Sequence, residues 1–235
     1  MNPQSPYRRF LVLTSACLSL SIANGCQKSK VSGSPTPERT TESPAKNHHA
    51  RNVILFIGDG MGVSTVTAAR IFDGQSQGKT GEEHVLAFED FENVALIKTY
   101  NTNAQVPDSA GTATAIMSGY KTNIGAVNVR PNPDVKKMVF ESCIRKNSPR
   151  TLGAIAKEAG LSVGIISTAR ITHATPAAMY GHAVSRGWEA DKDVDERAAK
   201  ARCKSLTAQL LESDIDIALG GGAGKFTDAQ IEEWK

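Results

Sequence analysis

Several things are missing from this sequence, and each absence excludes a role. There is no basic block: the 235 residues carry a formal net charge of +3, spread along the chain. A nucleic-acid partner is therefore not expected, because such binders concentrate positive charge on one face. The apolar run at residues 10–22 is too short to span a bilayer comfortably, since a crossing helix needs about 20 residues. Histidine is scarce. The five residues, His48, His49, His84, His173 and His182, include no zinc-ligand spacing. Two glycine-rich stretches also stop short of nucleotide motifs. In G-D-G-M-G at residues 58–62, Val63 stands where a dinucleotide fingerprint needs its third glycine. In G-G-G-A-G-K at residues 220–225, Leu219 occupies the first glycine position of a phosphate loop and Phe226 replaces its Ser or Thr.

What is present begins with an export signal. Arg8 and Arg9 precede the apolar run, and Ala23-Asn24-Gly25 supplies small residues before Cys26, so residues 1–26 read as a targeting segment. Cys26 resembles the lipidated cysteine of a bacterial lipobox, although Ala23 stands where leucine is usual. Two outcomes stay open: a lipid anchor at Cys26, or ordinary cleavage into the periplasm. Residues 27–50 hold three prolines and almost nothing apolar, the composition of a disordered tether, in which His48 and His49 are solvated.

The folded part starts at Arg51. An apolar run at residues 52–57 reads as a buried strand, followed by the glycine turn containing Asp59 and by a helix that Ser64 caps and that runs to Phe72. Residues 93–99, 161–167 and 215–219 are further strand candidates. Residues 151–159, 193–212 and those after Thr227 are helical, the last opened by a Thr227-Gln230 capping box. Strands alternating with helices predict an α/β fold with a mainly parallel central sheet covered by helices on both faces. Ligands of such sheets lie at the carboxyl ends of the strands, which is where Asp59 falls.

Residues 106–119, V-P-D-S-A-G-T-A-T-A-I-M-S-G, place Asp108 and Ser109 in a turn before a small-residue helix. Ser109 at that helix N-terminus is a capping residue on its own evidence. The same place also stabilises a phosphate or a developing oxyanion. After the 161–167 run comes H-A-T-P-A-A at residues 173–178, where Thr175 and Pro176 read as N-cap and first helical residue of a helix to about Ser185, with Arg186 beyond it.

Four blocks together carry a resemblance. Residues 52–62, N-V-I-L-F-I-G-D-G-M-G, residues 107–115, P-D-S-A-G-T-A-T-A, residues 173–178, and H-A-V-S-R at residues 182–186 resemble, in order, the signature blocks of the alkaline phosphatase family. The resemblance covers residues 51–235. His173, where the enteric bacterial branch has aspartate, and the Cys143 and Cys203 pair are similar to the animal-type branch. A sulfatase-like relative would need C/S-x-P-x-R, which Ser109-Ala110-Gly111 does not match.

The resemblance implies a role for each residue. Ser109 is the nucleophile that forms a phosphoserine, activated by zinc. Asp59 bridges that zinc and a magnesium ion, Thr175 is a magnesium ligand, and His173 lies in the same metal site, acting through water. Arg186 clamps two phosphoryl oxygens and Asp108 orients it. Two zinc ions, one magnesium ion, small phosphomonoester substrates and a homodimer are implied for the full-length enzyme. Family members are about twice this long and draw most zinc ligands from their second half. The chain therefore reads as an amino-terminal portion, incomplete at the C-terminus of the fold and inactive alone. A non-catalytic phosphate-binding or structural lipoprotein of the same fold is the alternative. Cys143 and Cys203 are implied to form a disulfide, which an exported chain permits. Peptide mapping without reductant should yield a cross-linked Cys143–Cys203 pair; two alkylatable thiols would exclude it.

Overall fold

The computed structural model describes residues 50–131 and 148–234. Contacts divide the chain after Ile54, and residues 50–54 carry no regular structure. All elements below belong to the unit that starts at Leu55.

Two of the expected strands do not form. Among the described residues, 52–57 and 93–99 enter no strand pairing, and their apolar side chains are exposed, Phe56 at 90% and Leu96 at 95%, except Ile57, which packs partly against the core. Apolar β-branched sequence supplies the faces of a strand, but its backbone groups still need a neighbouring strand. Among the described residues the sheet consists of two parallel strands, β1 (Gly164–Arg170) and β2 (Ile217–Gly221), with Gly164 opposite Ile217 and Ile166 opposite Leu219.

Both strands begin two or three residues later than their apolar runs, because a polar clasp takes the leading residues. The Asp216 carboxylate accepts from Val163 N at 2.7 Å and from Lys157 Nζ at 2.9 Å, while Asp216 N donates to Val163 O at 3.0 Å. Parallel strands need a crossover. That crossover, residues 171–216, carries His173, Thr175 and Arg186.

The helices divide into those set by local chemistry and those reshaped by tertiary contacts. The first helix, α1 (Val63–Ser76), has Gly62 as its N-cap, so Ser64 lies inside it and caps nothing. Next, α2 (Ser109–Ser118) is capped by Asp108, whose side chain accepts from Gly111 N, so Ser109 is the first helical residue and not the cap. Within the expected 151–159 helix, Thr151 is the cap and α3 runs over Leu152–Glu158.

The helix expected from Thr175 to about Ser185 shrinks to α4 (Ala174–Ala177), with His173 in the N-cap position and Thr175 inside. Side-chain amides from elsewhere take the groups a longer helix would use. Asn128 Nδ2 donates to Ala178 O at 2.6 Å and Gly181 O at 2.8 Å, and Gln209 Oε1 accepts from His182 N at 2.7 Å. The single helix expected at residues 193–212 is likewise two, α5 (Glu196–Lys200) and α6 (Leu206–Leu211). Arg202 in the left-handed region, φ 67, breaks it, and Ser205 caps the restart. Last, α7 (Asp228–Trp234) follows the expected capping box: Thr227 N donates to Gln230 Oε1 at 2.9 Å and Gln230 N to Thr227 Oγ1 at 3.3 Å.

The core is built from small residues. Ala110 and Ala113 of α2 pack with Ala174 and Ala177 of α4, with Met117, Val127, Tyr180 and Leu206 around them. Side chains this small let the two helix backbones approach closely, which sets Ser109 near Thr175. Cys203 is buried and disulfide-bonded, whereas Cys143 and Cys26 lie outside the described residues. No helix among the described residues is long and apolar enough to cross a membrane.

Asn128 is fully buried at φ 45, a backbone geometry asparagine tolerates better than alanine. Asn128→Ala therefore strands two carbonyls and strains the backbone, and should lower unfolding stability by about 2–4 kcal/mol in a urea titration. A loss below about 0.5 kcal/mol, the range of an ordinary surface change, would contradict this account of why α4 is short.

Candidate active site

Asp59 sits in a tight turn that the glycine run makes possible. Gly60 has φ 67, and Met61 N bonds back to Gly58 O at 3.3 Å. The turn presents the carboxylate to two elements at once. Oδ1 accepts from Ser109 Oγ at 2.7 Å and Oδ2 accepts from Thr175 Oγ1 at 3.1 Å. His173 Nδ1 lies 4.0 Å from the same Oδ2.

A second carboxylate organises the other side. Asp108 Oδ1 accepts from Gly111 N at 3.1 Å and from Asn101 Nδ2 at 3.0 Å, Gly125 N also bonds the group, and Oδ2 accepts from Arg186 NH1 at 3.1 Å. Burial alone would raise its proton affinity. The backbone bonds from Gly111 and Gly125, with those from Arg186 and Asn101, outweigh burial and hold the carboxyl below its ordinary range. The segment bearing Arg186 is docked independently. Val127 and Ala183 exchange backbone bonds of 2.8 Å, and Arg186 N donates to Gly125 O at 2.7 Å.

Arg186 and His173 stand between the two sides. Arg186 NH2 lies 2.7 Å from His173 Nε2. A guanidinium has only donors, so Nε2 accepts and the ring proton sits on Nδ1, the atom facing Asp59. Burial, and then the Arg186 charge, push the imidazole below its usual value, which keeps it neutral in this arrangement. The Nδ1 proton is buried and has no partner within hydrogen-bond distance among the described residues.

This donor set fits one metal better than the other. Asp59 Oδ2 and Thr175 Oγ1 are hard oxygens, and an unpaired N–H beside them suits the water shell of magnesium. Zinc needs three or more protein ligands; Asp59 and Ser109 supply two. Among the described residues no group of three His, Cys, Asp or Glu is placed to hold a metal.

Asp59, Asp108, Ser109, His173, Thr175 and Arg186, all singled out from the sequence, thus lie together as two hydrogen-bonded sets, Asp59 with Ser109 and Thr175, and Asp108 with Arg186 and His173, whose nearest approach is the 4.0 Å between His173 Nδ1 and Asp59 Oδ2. His182 stays apart, its Nε2 3.1 Å from Pro149 O, and His84 bonds Asp73 at 2.6 Å. The sequence reading missed Asn101, Gly111 and Gly125 around Asp108. It also missed Glu189, whose buried carboxylate takes Arg170 Nε at 2.8 Å, Arg170 NH2 at 2.7 Å and Thr172 Oγ1 at 2.7 Å. That clamp ties the carboxyl end of β1 to the chain just after Arg186. No spacing rule marks these residues; Asn101 in T-Y-N-T-N shows only a turn-forming composition.

The family model for alkaline phosphatase matches residues 50–234. Mouse tissue-nonspecific alkaline phosphatase is 49% identical over 175 residues, covering 74% of this chain and 33% of that protein. Alkaline phosphatase of Gadus morhua is 50% identical over 175 residues, covering 74% of this chain and 36% of that one. The chain spans about a third of the length of these curated relatives. Among solved structures, the cold-active alkaline phosphatase of Shewanella sp. superposes with a TM-score of 0.58 at 32% identity, over 76% of this chain and 38% of that one. A histidine-to-aspartate variant of the alkaline phosphatase of the Antarctic bacterium TAB5, with magnesium bound in its M3 site, gives 0.52 at 28% identity, over 72% and 38%.

Glu189 carries a pH dependence. Burial works against its charged form, but the Arg170 and Thr172 bonds win and hold the carboxyl below the usual value. A carboxyl depressed in the fold stabilises above its unfolded pKa, and that stability disappears as pH falls through the folded value. Glu189→Gln should cost about 2 kcal/mol near neutral pH and flatten the acid limb of the stability profile. An unchanged acid limb, followed by denaturation from pH 7 downward, would contradict it.

Proposed function

The chain belongs to the alkaline phosphatase family, and from that premise we propose that it carries the phosphoryl-transfer half of an exported phosphomonoesterase acting through a phosphoserine at Ser109. The observation that supports this most is the sharing of one carboxylate, Asp59, between Ser109 and Thr175, which lie 50 and 116 positions from it in chain order. A turn aspartate without a catalytic role has no reason to join a helix N-terminus to a threonine of another element.

Ser109 Oγ attacks phosphorus; the Oγ–P bond forms as the ester P–O bond breaks, and the alcohol leaves. Asp59 Oδ1 holds and orients the serine hydroxyl. Ser109 is the first residue of α2, so the positive end of that helix faces the phosphoryl charge. Arg186 offers a planar fork to two phosphoryl oxygens, with Asp108 holding one arm through NH1. Phosphoryl transfer depends mainly on positioning and charge neutralisation, and these residues supply both. His173, neutral and bonded to Arg186, keeps a second positive charge out of the site while its Nδ1 proton faces the Asp59 side.

Magnesium would be held by Asp59 and Thr175, with His173 acting on its water. Zinc would be held by Asp59 and Ser109 together with donors outside the described residues, as would the second zinc. Bound cations lower the proton affinity of the serine hydroxyl and of the water that later cleaves the phosphoserine. Small phosphomonoesters are the substrate class, and the whole protein is a homodimer in this reading. Export by residues 1–26, a Cys26 anchor or simple cleavage, a tether at residues 27–50 and a Cys143–Cys203 bridge complete it.

In the native, metal-loaded protein, labelled phosphate added at acid pH should be trapped covalently, peptide mapping should place it on Ser109, and Ser109→Ala should abolish it. Turnover with Ser109 never labelled would exclude the phosphoserine. Phosphate binding without label or turnover would leave a binding protein of the same fold.

A further inference from the structure

Asn101 lies outside every signature block, yet its buried side chain touches the arginine-holding carboxylate. It is 3% exposed. Its backbone is fixed in a tight turn, N donating to Ala104 O at 2.9 Å, with Thr102 N on Thr122 O at 3.0 Å. Its amide Nδ2 donates to Asp108 Oδ1 at 3.0 Å, and its Oδ1 is buried without a partner against Gly111. A Cβ at Gly111 would sit 2.1 Å from that oxygen, so the helix keeps glycine there for the asparagine to fit.

We infer that Asn101 is a positioning residue for Arg186: by fixing Asp108 Oδ1 against the N-terminus of α2, it turns Oδ2 toward the guanidinium and sets the angle of the phosphoryl fork. An amide suits this task because it is neutral. A lysine in its place would neutralise Asp108 and compete with Arg186, whereas the amide orients the carboxylate and leaves its charge for the arginine. The inference deepens the phosphatase reading and rests on it for the ligand, though its geometric content concerns Arg186 alone.

The test compares Asn101→Ala and Asn101→Asp with the native, metal-loaded protein. Aspartate keeps the size and shape of the side chain and, when ionised, has only acceptors, so at a pH high enough that the two carboxyls share no proton it preserves packing against Gly111 and removes the hydrogen bond. The probes are inorganic phosphate, titrated by phosphorus NMR, and the nitrogen NMR signals of the arginine guanidinium groups, which report restricted rotation of a paired arginine. Both variants should lose the restricted Arg186 signal and weaken phosphate binding about tenfold, the scale of one hydrogen bond to a charged group. Asn101→Asp should still melt cooperatively.

An Asn101→Asp protein with the Arg186 signal and phosphate affinity of wild type would show that Asn101 merely fills space, and would overturn the inference. Weaker phosphate binding with the Arg186 signal intact would overturn it too. Loss of the signal in a protein whose wild type binds no phosphate would uphold the positioning role and remove the phosphatase reading instead.

Discussion

The Asp108 carboxylate is the point on which the rest of the site depends. One group ends the turn, caps α2 through Gly111 N, receives the Asn101 amide and the Gly125 N–H, and holds Arg186. Those bonds do two jobs at once. They start the helix whose first residue is Ser109, and they fix the cation across from it. A cap served by a serine or threonine hydroxyl would satisfy the helix equally well but would carry no charge to hold a guanidinium. The aspartate thus couples a local stability requirement to a long-range placement, which is why capping and function cannot be assigned to separate residues here.

Close packing makes that coupling possible. Gly111 leaves room for Asn101, Gly181 leaves room for Leu206 Cδ2 at 2.6 Å from where a Cβ would lie, and Gly153 does the same for Met179. Alanines on the facing sides of α2 and α4 bring Ser109 and Thr175 onto one carboxylate. Substitutions by larger residues at these positions would displace site atoms, although none of the small residues touches the reacting groups. Asn128 and Gln209 then stop α4 early by competing for its backbone groups, freeing the following turn to bring His182, Ala183 and Arg186 back beside residues 125–128.

Legibility in the sequence followed the range of the interaction. The Thr227-Gln230 pair was readable as a capping box because cap and target lie within three residues. Asp59, Ser109, Thr175 and Arg186 were readable because their blocks resemble a family, although the local role assigned to Thr175 as a cap was wrong: its hydroxyl goes to Asp59. The strands expected at residues 52–57 and 93–99 do not appear among the described residues, because an apolar run says nothing about whether a partner strand lies beside it. The broken helix at residues 193–212 failed because its helical spacing is intact, and only the left-handed Arg202 and the Ser205 cap, with Leu206 N committed to Trp188 O, interrupt it. Asn101 was invisible because its meaning lies in a contact with Gly111 and Asp108, not in spacing.

The two halves of the constellation differ in completeness, and the difference has a physical consequence. Around Asp108 the N–H groups of Gly111, Gly125, Asn101 and Arg186 occupy both carboxylate oxygens within the described residues. Around Asp59 each oxygen meets one hydroxyl, the nearby His173 Nδ1 proton is unpaired, and the carboxylate is 43% exposed. A saturated carboxylate holds its geometry with no further partner, whereas an undersaturated one accepts additional positive charge at little cost in broken bonds. The position of Arg186 is therefore fixed within this part of the fold, while the carboxylate of Asp59 is left open. In the function proposed above, the chemistry would separate along the same line: grip on the phosphoryl group would belong to the closed carboxylate, and activation of Ser109 to the open one.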